Sequence, residues 1–211
     1  RVFQELGINH VEPVFSEFSR LDAGLYSGKF EIVGAGMVIT AARQKQVRFS
    51  HPTVVSGFGF LVPQGNPKDL RSFEDVRDTP GAIVGVSKGT EEHDVAMRIG
   101  IPPERIVGFP RAYMAVDALR AGRIDAFATM EVDLPVLLDH AGAESLERAD
   151  PFGQPVIDGE PYRGYMAFTM RKADEDLAER VDEVLKRFVG TKEHADLVAP
   201  FGITRDMLPD I

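Results

Sequence analysis

Cysteine is absent from this 211-residue sequence, and so are long apolar runs. Without cysteine the chain cannot form disulfides, thiolate metal sites or a cysteine nucleophile, and it offers no thiol to an oxidising compartment. The longest apolar runs, such as residues 54–62, have about half of the ~20 residues that a membrane-spanning helix needs. The sequence therefore predicts no redox site and no membrane span, and it suits the periplasm without requiring it.

Basic residues are also fewer than acidic ones. The chain has 24 Lys and Arg and 33 Asp and Glu, which gives a net charge of -9. This balance disfavours binding to phosphate backbones and anionic membranes, so no nucleic-acid partner is expected. The histidines have no metal-ligand spacing, and we interpret each as a surface or structural residue: His10, His51, His93, His140 and His194. We predict no metal, no cofactor and no catalytic set. The chain begins at Arg1 without a signal-peptide pattern, so a processed or trimmed start is expected.

Strand and helix patterns alternate along the chain, which is typical of an α/β fold with largely parallel sheets. The length suits one large domain or two modest lobes. In the first part, residues 11–15, 30–34 and 54–62 are predicted strands, residues 19–27 a helix, and residues 64–69 a connector.

A second α/β unit follows this connector. Its predicted strands are residues 82–86, 105–108 and 124–128, and its helices are Glu91–Ile99, between a Thr90 cap and a Gly100 stop, and residues 112–121. Residues 165–170 then form a strand, and helices begin after Asp174 and near Ala195. The chain is expected to return to the first unit near residues 162–170. We therefore predict two lobes joined by two crossings, residues 1–63 with 166–211 and residues 64–165.

Residues 34–52, GAGMVITAARQKQVRFSHP, are the most informative segment for function. Ala35 and Gly36 end a predicted strand, and their small side chains let backbone amides approach a ligand. Arg43 follows, and its planar guanidinium can accept a carboxylate in bidentate fashion. Taken alone, Arg43 fits a solvated surface residue better than a ligand contact.

This segment resembles the pattern AGMTIT-x-x-R-x-x-x-V-x-FS-x-P of the family-3 extracellular solute-binding proteins, the polar amino-acid group of bacterial ABC importers. Further likenesses are FSRLDAGLYSGKF at 18–30, SKGT at 87–90, LRAGRIDA at 119–126 and FGITRDMLP at 201–209. The resemblance implies a type II periplasmic-binding fold. It also implies that Arg43 holds the ligand carboxylate, with help from the Gly36 amide and from Thr90 of the other lobe.

Two departures from that pattern bear on the ligand. Met130 stands where α-amino-acid binders place an Asp for the ligand ammonium, and the adjacent Glu131 can substitute for that Asp. Thr129 is also counted among the expected ligand contacts. Val38 stands where those binders carry a hydroxyl. We still count Val38 among the expected ligand contacts.

Within the family, the sequence is most similar to the ectoine and hydroxyectoine binders, chiefly through DPFGQPVIDGEPYRGYMAFT at 150–169. Ectoine is a cyclic zwitterion with a delocalised positive charge, which suits aromatic faces. Phe18 matches one aromatic position of those relatives, whereas Val38 replaces another. Family members also begin upstream of Arg1 with a strand and a loop, so the first lobe is expected to lack its opening strand.

The resemblance implies a soluble importer component, periplasmic or tethered outside a Gram-positive cell, that binds a small zwitterionic carboxylate. Hinge closure over the solute would present it to a membrane permease. A monomer without enzymatic activity is expected. Three alternatives stay open: a polar amino-acid binder, a cyclic-carboxylate dehydratase of the same fold, and the sensory domain of a receptor.

Overall fold

The computed structural model describes residues 1–142 and 145–210. It contains two compact units, Arg1–Ser56 with Gly164–Ile211, and Gly57–Arg163. The sequence placed the two crossings near residues 63 and 166. In the structure the first crossing lies between Ser56 and Gly57, because the strand that follows Gly57 pairs with strands of the second unit.

The elements alternate between strand and helix along most of the chain. In order they are α1 (Val2–Glu5), α2 (Leu21–Tyr26), β1 (Ile32–Val38), α3 (Ala41–Gln44), β2 (Arg48–Phe49), β3 (Val54–Ser56), β4 (Phe58–Pro63), α4 (Phe73–Asp78), β5 (Val84–Ser87), α5 (Glu91–Ile99), β6 (Ile106–Phe109), α6 (Ala112–Arg120), β7 (Ala126–Met130), α7 (Leu134–Ala141), β8 (Leu146–Arg148), β9 (Val156–Ile157), β10 (Glu160–Pro161), β11 (Gly164–Met170), α8 (Glu175–Phe188) and α9 (Lys192–Val198). Short 3₁₀ turns occupy Phe18–Arg20, Pro103–Arg105, Glu131–Asp133, Ala199–Phe201 and Arg205–Met207.

The first unit is built on an antiparallel sheet in which β11 is the central strand. β1 pairs with one side of β11, and β2 and β3 pair with its other side. One apolar cluster joins α8 to the sheet through Met170, Val181 and Leu185. Another joins α2 to β1 through Leu25 and Val33. The expectation of largely parallel sheets is wrong for this unit.

The second unit has a mixed five-stranded sheet in the order β6–β5–β7–β4–β8. β5 is parallel to β6 and β7, whereas β4 is antiparallel to β7 and β8. Helices α6 and α7 cover it through Val116, Leu119 and Leu137. Because β5 and β7 run in the same direction, their carboxyl ends meet at one edge, where α/β sheets usually bind ligands.

The predicted helices agree well with the structure. Helix α5 has the predicted bounds, and it ends at Gly100, whose φ of +93° is the left-handed value that glycine tolerates. Helix α8 begins after Asp174 as predicted. No helix in the described ranges is long and apolar enough to cross a membrane.

Two strand predictions were wrong. Residues 11–15 form no strand, and Val11 and Phe15 are 54% and 92% exposed, because no neighbouring strand takes up their backbone groups. Residues 54–62 were predicted as one strand but form β3 and β4, which break at Gly57 and enter different sheets. Apolar runs alone do not show where a chain leaves one sheet for another.

Candidate functional site

Arg43 occupies helix α3, immediately after the end of β1. Thr40 caps this helix, and its Oγ1 accepts a hydrogen bond from the Arg43 amide at 3.2 Å. The guanidinium Nη1 donates to the carbonyl oxygen of Val38 at 3.0 Å. Arg43 is half-buried. The turn therefore fixes both the backbone and the charged head of this residue close to the end of β1.

Phe18 lies beside Arg43, with the guanidinium carbon 5.8 Å from the centre of its ring. This distance is within the range of cation–π attraction. The ring is partly buried against the cluster of α2 and β1 that contains Leu21 and Phe30. Two residues predicted from widely separated parts of the sequence are thus neighbours in the structure.

Gly36 and Val38 lie on β1, which ends shortly before the helix that carries Arg43. The pairing with β11 skips residues 34–36, which form a bulge, and Gly36 has a φ of +65°. The Val38 side chain is 7% exposed, so the part of this residue that reaches Arg43 is its carbonyl. In the first unit the structure therefore brings Phe18, Val38 and Arg43 together, with Gly36 two residues away on the same strand.

Thr90 and Thr129 lie at the shared carboxyl edge of β5 and β7 in the second unit. Thr90 precedes α5, and its Oγ1 donates to the carbonyl of Ser87 at 2.8 Å. Thr129 is 6% exposed, and its Oγ1 donates to Oδ2 of Asp133 at 2.9 Å. Both predicted hydroxyl residues are thus already hydrogen-bonded.

Glu131 is engaged elsewhere in the second unit. Its Oε1 accepts a hydrogen bond from Nη2 of Arg148 at 2.6 Å, and its amide donates to the carbonyl of Gly57 at 2.9 Å. The structure therefore gives Glu131 a partner on β8, on the opposite side of β4 from β7. A solute cation would have to compete with Arg148 for this carboxylate.

Sequence reasoning missed two carboxyl groups near Thr90 and Thr129, those of Glu92 and Asp133. Burial raises the pKa of Glu92 to about 7, and the negative charges of Asp133 and Glu91 add to that rise, whereas a hydrogen bond from its own backbone opposes it. Asp133 is exposed, and its Oδ2 accepts the hydrogen bond from the Thr129 hydroxyl. Glu92 shares the inner face of α5 with Val95 and Ala96, three and four residues on, and this spacing was the available signal.

Comparison with known proteins identifies the family. Residues 1–202 match the family described as bacterial extracellular solute-binding proteins, family 3. The chain belongs to this family. It is 32% identical, over 204 residues, to a probable amino-acid ABC transporter periplasmic-binding protein, y4tE, of Sinorhizobium fredii (strain NBRC 101917 / NGR234), covering 96% of this chain and 67% of the relative.

More distant relatives agree with this assignment. The L-cystine-binding protein TcyJ of Escherichia coli K12 is 27% identical over 164 residues, 77% of this chain and 56% of its own length. The chain thus spans about two thirds of the first curated relative and just over half of the second.

Solved structures show the same fold. EhuB in complex with hydroxyectoine superposes with a TM-score of 0.85 at 26% identity, over 97% of this chain and 77% of that one. The ancestral amino acid-binding protein AncCDT-1, a precursor of cyclohexadienyl dehydratase, gives 0.79 at 28% identity over 95% and 81%. The predicted type II periplasmic-binding fold is confirmed.

A metal centre finds no support in the described part of the chain, where no three His, Asp or Glu side chains are grouped to hold an ion. The recognisable chemistry of this family-3 protein is instead an oriented guanidinium beside an aromatic ring in one unit, and hydroxyl and carboxyl groups in the other. Groups of this kind are suited to holding a charged organic solute.

Proposed function

We propose that this family-3 protein is the solute-binding component of an ABC importer, and that it binds a small zwitterionic carboxylate outside the cytoplasm without altering it. The observation that carries the proposal is the setting of Arg43, a half-buried residue whose guanidinium donates to the Val38 carbonyl and lies beside the Phe18 ring. An oriented, partly desolvated guanidinium is the group that proteins use to hold a carboxylate.

The solute that we favour is ectoine, hydroxyectoine or a related compatible solute. Met130, 6% exposed, cannot pair with a compact ammonium, and the carboxylate next to it, Glu131, is bound to Arg148. A delocalised cation depends less on one tight ion pair and more on aromatic faces such as Phe18. The fold similarity to a hydroxyectoine-binding protein supports this choice.

A polar amino acid is the second candidate, because the Sinorhizobium relative is named as an amino-acid binding protein. Glu92 and Asp133 also put two carboxyl groups in the second unit, at the edge where Thr90 and Thr129 lie. An ammonium held by Asp133 would favour this candidate. Thr90, Thr129 and Glu131 remain the proposed contacts of the second unit, and Phe18, Gly36, Val38 and Arg43 those of the first.

Calorimetric titration of Arg43→Ala with ectoine and hydroxyectoine tests the proposed carboxylate site. We expect binding to weaken by about 2–5 kcal/mol, the usual effect of removing one partner of a desolvated charge pair. Arg20→Ala is the matched control, because Arg20 is an exposed arginine of the same unit that pairs with Glu17. If Arg43→Ala binds as tightly as the parent, the proposed site is wrong.

The proposed partner is a permease in the membrane, and the proposed place is the periplasm or the outer face of a Gram-positive membrane. The description of the family as extracellular supports this location. A binding protein that delivers one solute to one permease needs no self-association, so we propose a monomer. Light scattering at micromolar concentration checks this, and a stable dimer would contradict it.

A further inference from the structure

Tyr165 is an exposed aromatic residue in the central strand of the first unit. Its side chain is 47% exposed, whereas Phe168 is half-buried and the other five residues of β11 are buried. A central strand has neighbours along both edges, so its side chains reach solvent only where a face of the sheet is uncovered. Tyr165 therefore marks an uncovered end of this sheet.

The strand register places Tyr165 opposite the end of β1. Val38 pairs with Met166, and the Ile39 amide donates to the Tyr165 carbonyl at 2.8 Å. The Ile39 N–H and the Val38 C=O belong to one peptide group, so they point to opposite sides of the strand. The Val38 carbonyl accepts the hydrogen bond from Nη1 of Arg43. Tyr165 and the Arg43 guanidinium therefore lie on the two sides of the end of β1.

Tyr165 also shares a face of the sheet with the cluster on which Phe18 packs. Side chains alternate along a strand, so Tyr165 points to the same side as Ala167 and Thr169. The Thr169 hydroxyl donates to the Met37 sulfur at 4.0 Å, and Met37 belongs to the apolar cluster of α2 and β1 that Phe18 packs against. The Tyr165 ring is therefore on the face that carries the Phe18 ring and the guanidinium beside it.

The cover over this face ends before Tyr165. Ala167 and Thr169 are 1% and 0% exposed, whereas the ring two residues before Ala167 is open. The Val38 side chain is 7% exposed and points to the other face with its partner Met166, so the end of β1 adds no open side chain there. Tyr165 thus provides an accessible ring at a strand end, the setting in which binding sites use aromatic side chains.

We propose that Tyr165 is a further solute contact of the first unit, whose ring faces the cationic part of the zwitterion while Arg43 holds its carboxylate. The inference rests on the proposed function and names one more residue of the same site. Neighbouring strands are about 5 Å apart, so groups on the two sides of β1 can reach both ends of one small solute. A ring face attracts a cation and suits a flat, delocalised one, so Tyr165 favours solutes whose two charges are close together.

Calorimetric titration of Tyr165→Leu and Tyr165→Phe tests the inference, with ectoine and glutamine as the probes for the two candidate solutes. Tyr165→Leu loses the ring and should weaken the probe that binds the parent about five- to tenfold, whereas Tyr165→Phe keeps the ring and should stay within about twofold. Tyr26→Leu is the matched control and should leave Kd unchanged. Tyr26 is 51% exposed in the same unit, at the end of α2 remote from Phe18.

A spectroscopic measurement separates contact with the solute from a structural role. The chain has four tyrosines and no tryptophan, so NMR of ring-labelled tyrosine gives few signals, and the one missing from Tyr165→Phe belongs to Tyr165. The bound probe should shift this signal and leave that of Tyr26 in place. An unchanged Kd for Tyr165→Leu, or an unmoved Tyr165 signal, overturns the inference. Loss of binding in Arg43→Ala would then still support the proposed function, whereas a parent that binds neither probe overturns both.

Discussion

The Arg43 side chain is oriented before any solute arrives. Its Nη1 bonds the Val38 carbonyl at 3.0 Å, and its guanidinium carbon lies 5.8 Å from the centre of the Phe18 ring. A long arginine side chain that is already ordered loses less conformational freedom when a carboxylate binds. In the proposed site, this orientation of Arg43 would add to the affinity for a carboxylate. The Phe18 ring is the part of the arrangement that a single substitution removes with least change to its surroundings.

Substituting Phe18 by Leu tests that contribution. Leu keeps most of the apolar contact with the α2 cluster but has no π face, so the loss should be about 0.5–1 kcal/mol, or roughly two- to fivefold in Kd. Calorimetry with the solute that binds the parent measures it. Phe201→Leu, at an exposed position elsewhere in the unit, should leave Kd unchanged. An unchanged Kd for Phe18→Leu would show that the ring plays no part.

Glu92 predicts a pH dependence of stability. Its pKa is raised to about 7 in the folded chain, from 4.5, mainly by burial at 3% exposure. The folded state therefore holds this proton more tightly than the unfolded state, so this stabilisation is complete below pH 4.5 and is lost as the pH rises through about 7. The full loss is at most about 3 kcal/mol.

The variant Glu92→Gln removes that titration and keeps the shape of the side chain. Urea unfolding measures the free energy of unfolding of both proteins at pH 5 and pH 8. We expect this free energy to fall more in the parent than in Glu92→Gln as the pH rises. At pH 8, Glu92→Gln should be the more stable of the two. Asp133 and Glu91, the acidic groups that act on Glu92, are present in both proteins. Glu104→Gln, at an exposed site, controls for the charge change. Parallel pH profiles of parent and Glu92→Gln would contradict the assignment.

The bulge in β1 is the element that brings the strand end to Arg43. Gly36 has a φ of +65°, and an added Cβ would also lie 3.4 Å from the Met166 sulfur. Gly36→Ala should therefore cost about 1–2 kcal/mol of stability, the strain of a left-handed alanine. Gly34→Ala, two residues earlier, has no positive φ and meets only an ordinary contact 3.7 Å from Phe168, so it should be nearly neutral. Chemical denaturation of both variants measures the difference, and equal stabilities would contradict this role for Gly36.

Helices were more predictable than strands in this chain for a physical reason. The bounds of α5 follow from residue types at its two ends: Thr90 occupies the N-cap position, although its side chain forms no capping bond, and Gly100 ends the helix in the left-handed conformation. Whether residues 11–15 form a strand depends on a neighbouring strand, and whether residues 54–62 form one strand or two depends on which sheet each half joins. Pairing is a long-range property that local composition does not contain.

At the scale of the whole molecule, the sequence predicted two units and two crossings, and the structure has two units with the first crossing seven residues earlier, at Ser56 rather than Pro63. Phe18 and Arg43 could be singled out from the sequence by their own chemistry, and the structure places them side by side. The surroundings of Glu131 and Glu92 were less predictable from the sequence. The ion pair of Glu131 with Arg148 and the burial of Glu92 both depend on how distant parts of the chain pack. Charge is a property of the whole chain as well, and the net charge of -9 disfavours association with nucleic acid and with anionic membranes.

The proposed solute can be tested on the intact chain by a thermal-shift panel of ectoine, hydroxyectoine, betaines and polar amino acids, cystine included. A solute that binds only the folded chain stabilises it by about 2.7 kcal/mol at a hundredfold excess over Kd. For a protein of this length that corresponds to a rise of roughly 5–10 °C in melting temperature. We expect this rise with the ectoines and not with the amino acids, and the bound solute should be recovered chemically unchanged. A rise with amino acids alone would select the second candidate, because a compact ammonium must then find a carboxylate despite Met130, and chemical conversion of any solute would contradict a role in binding alone.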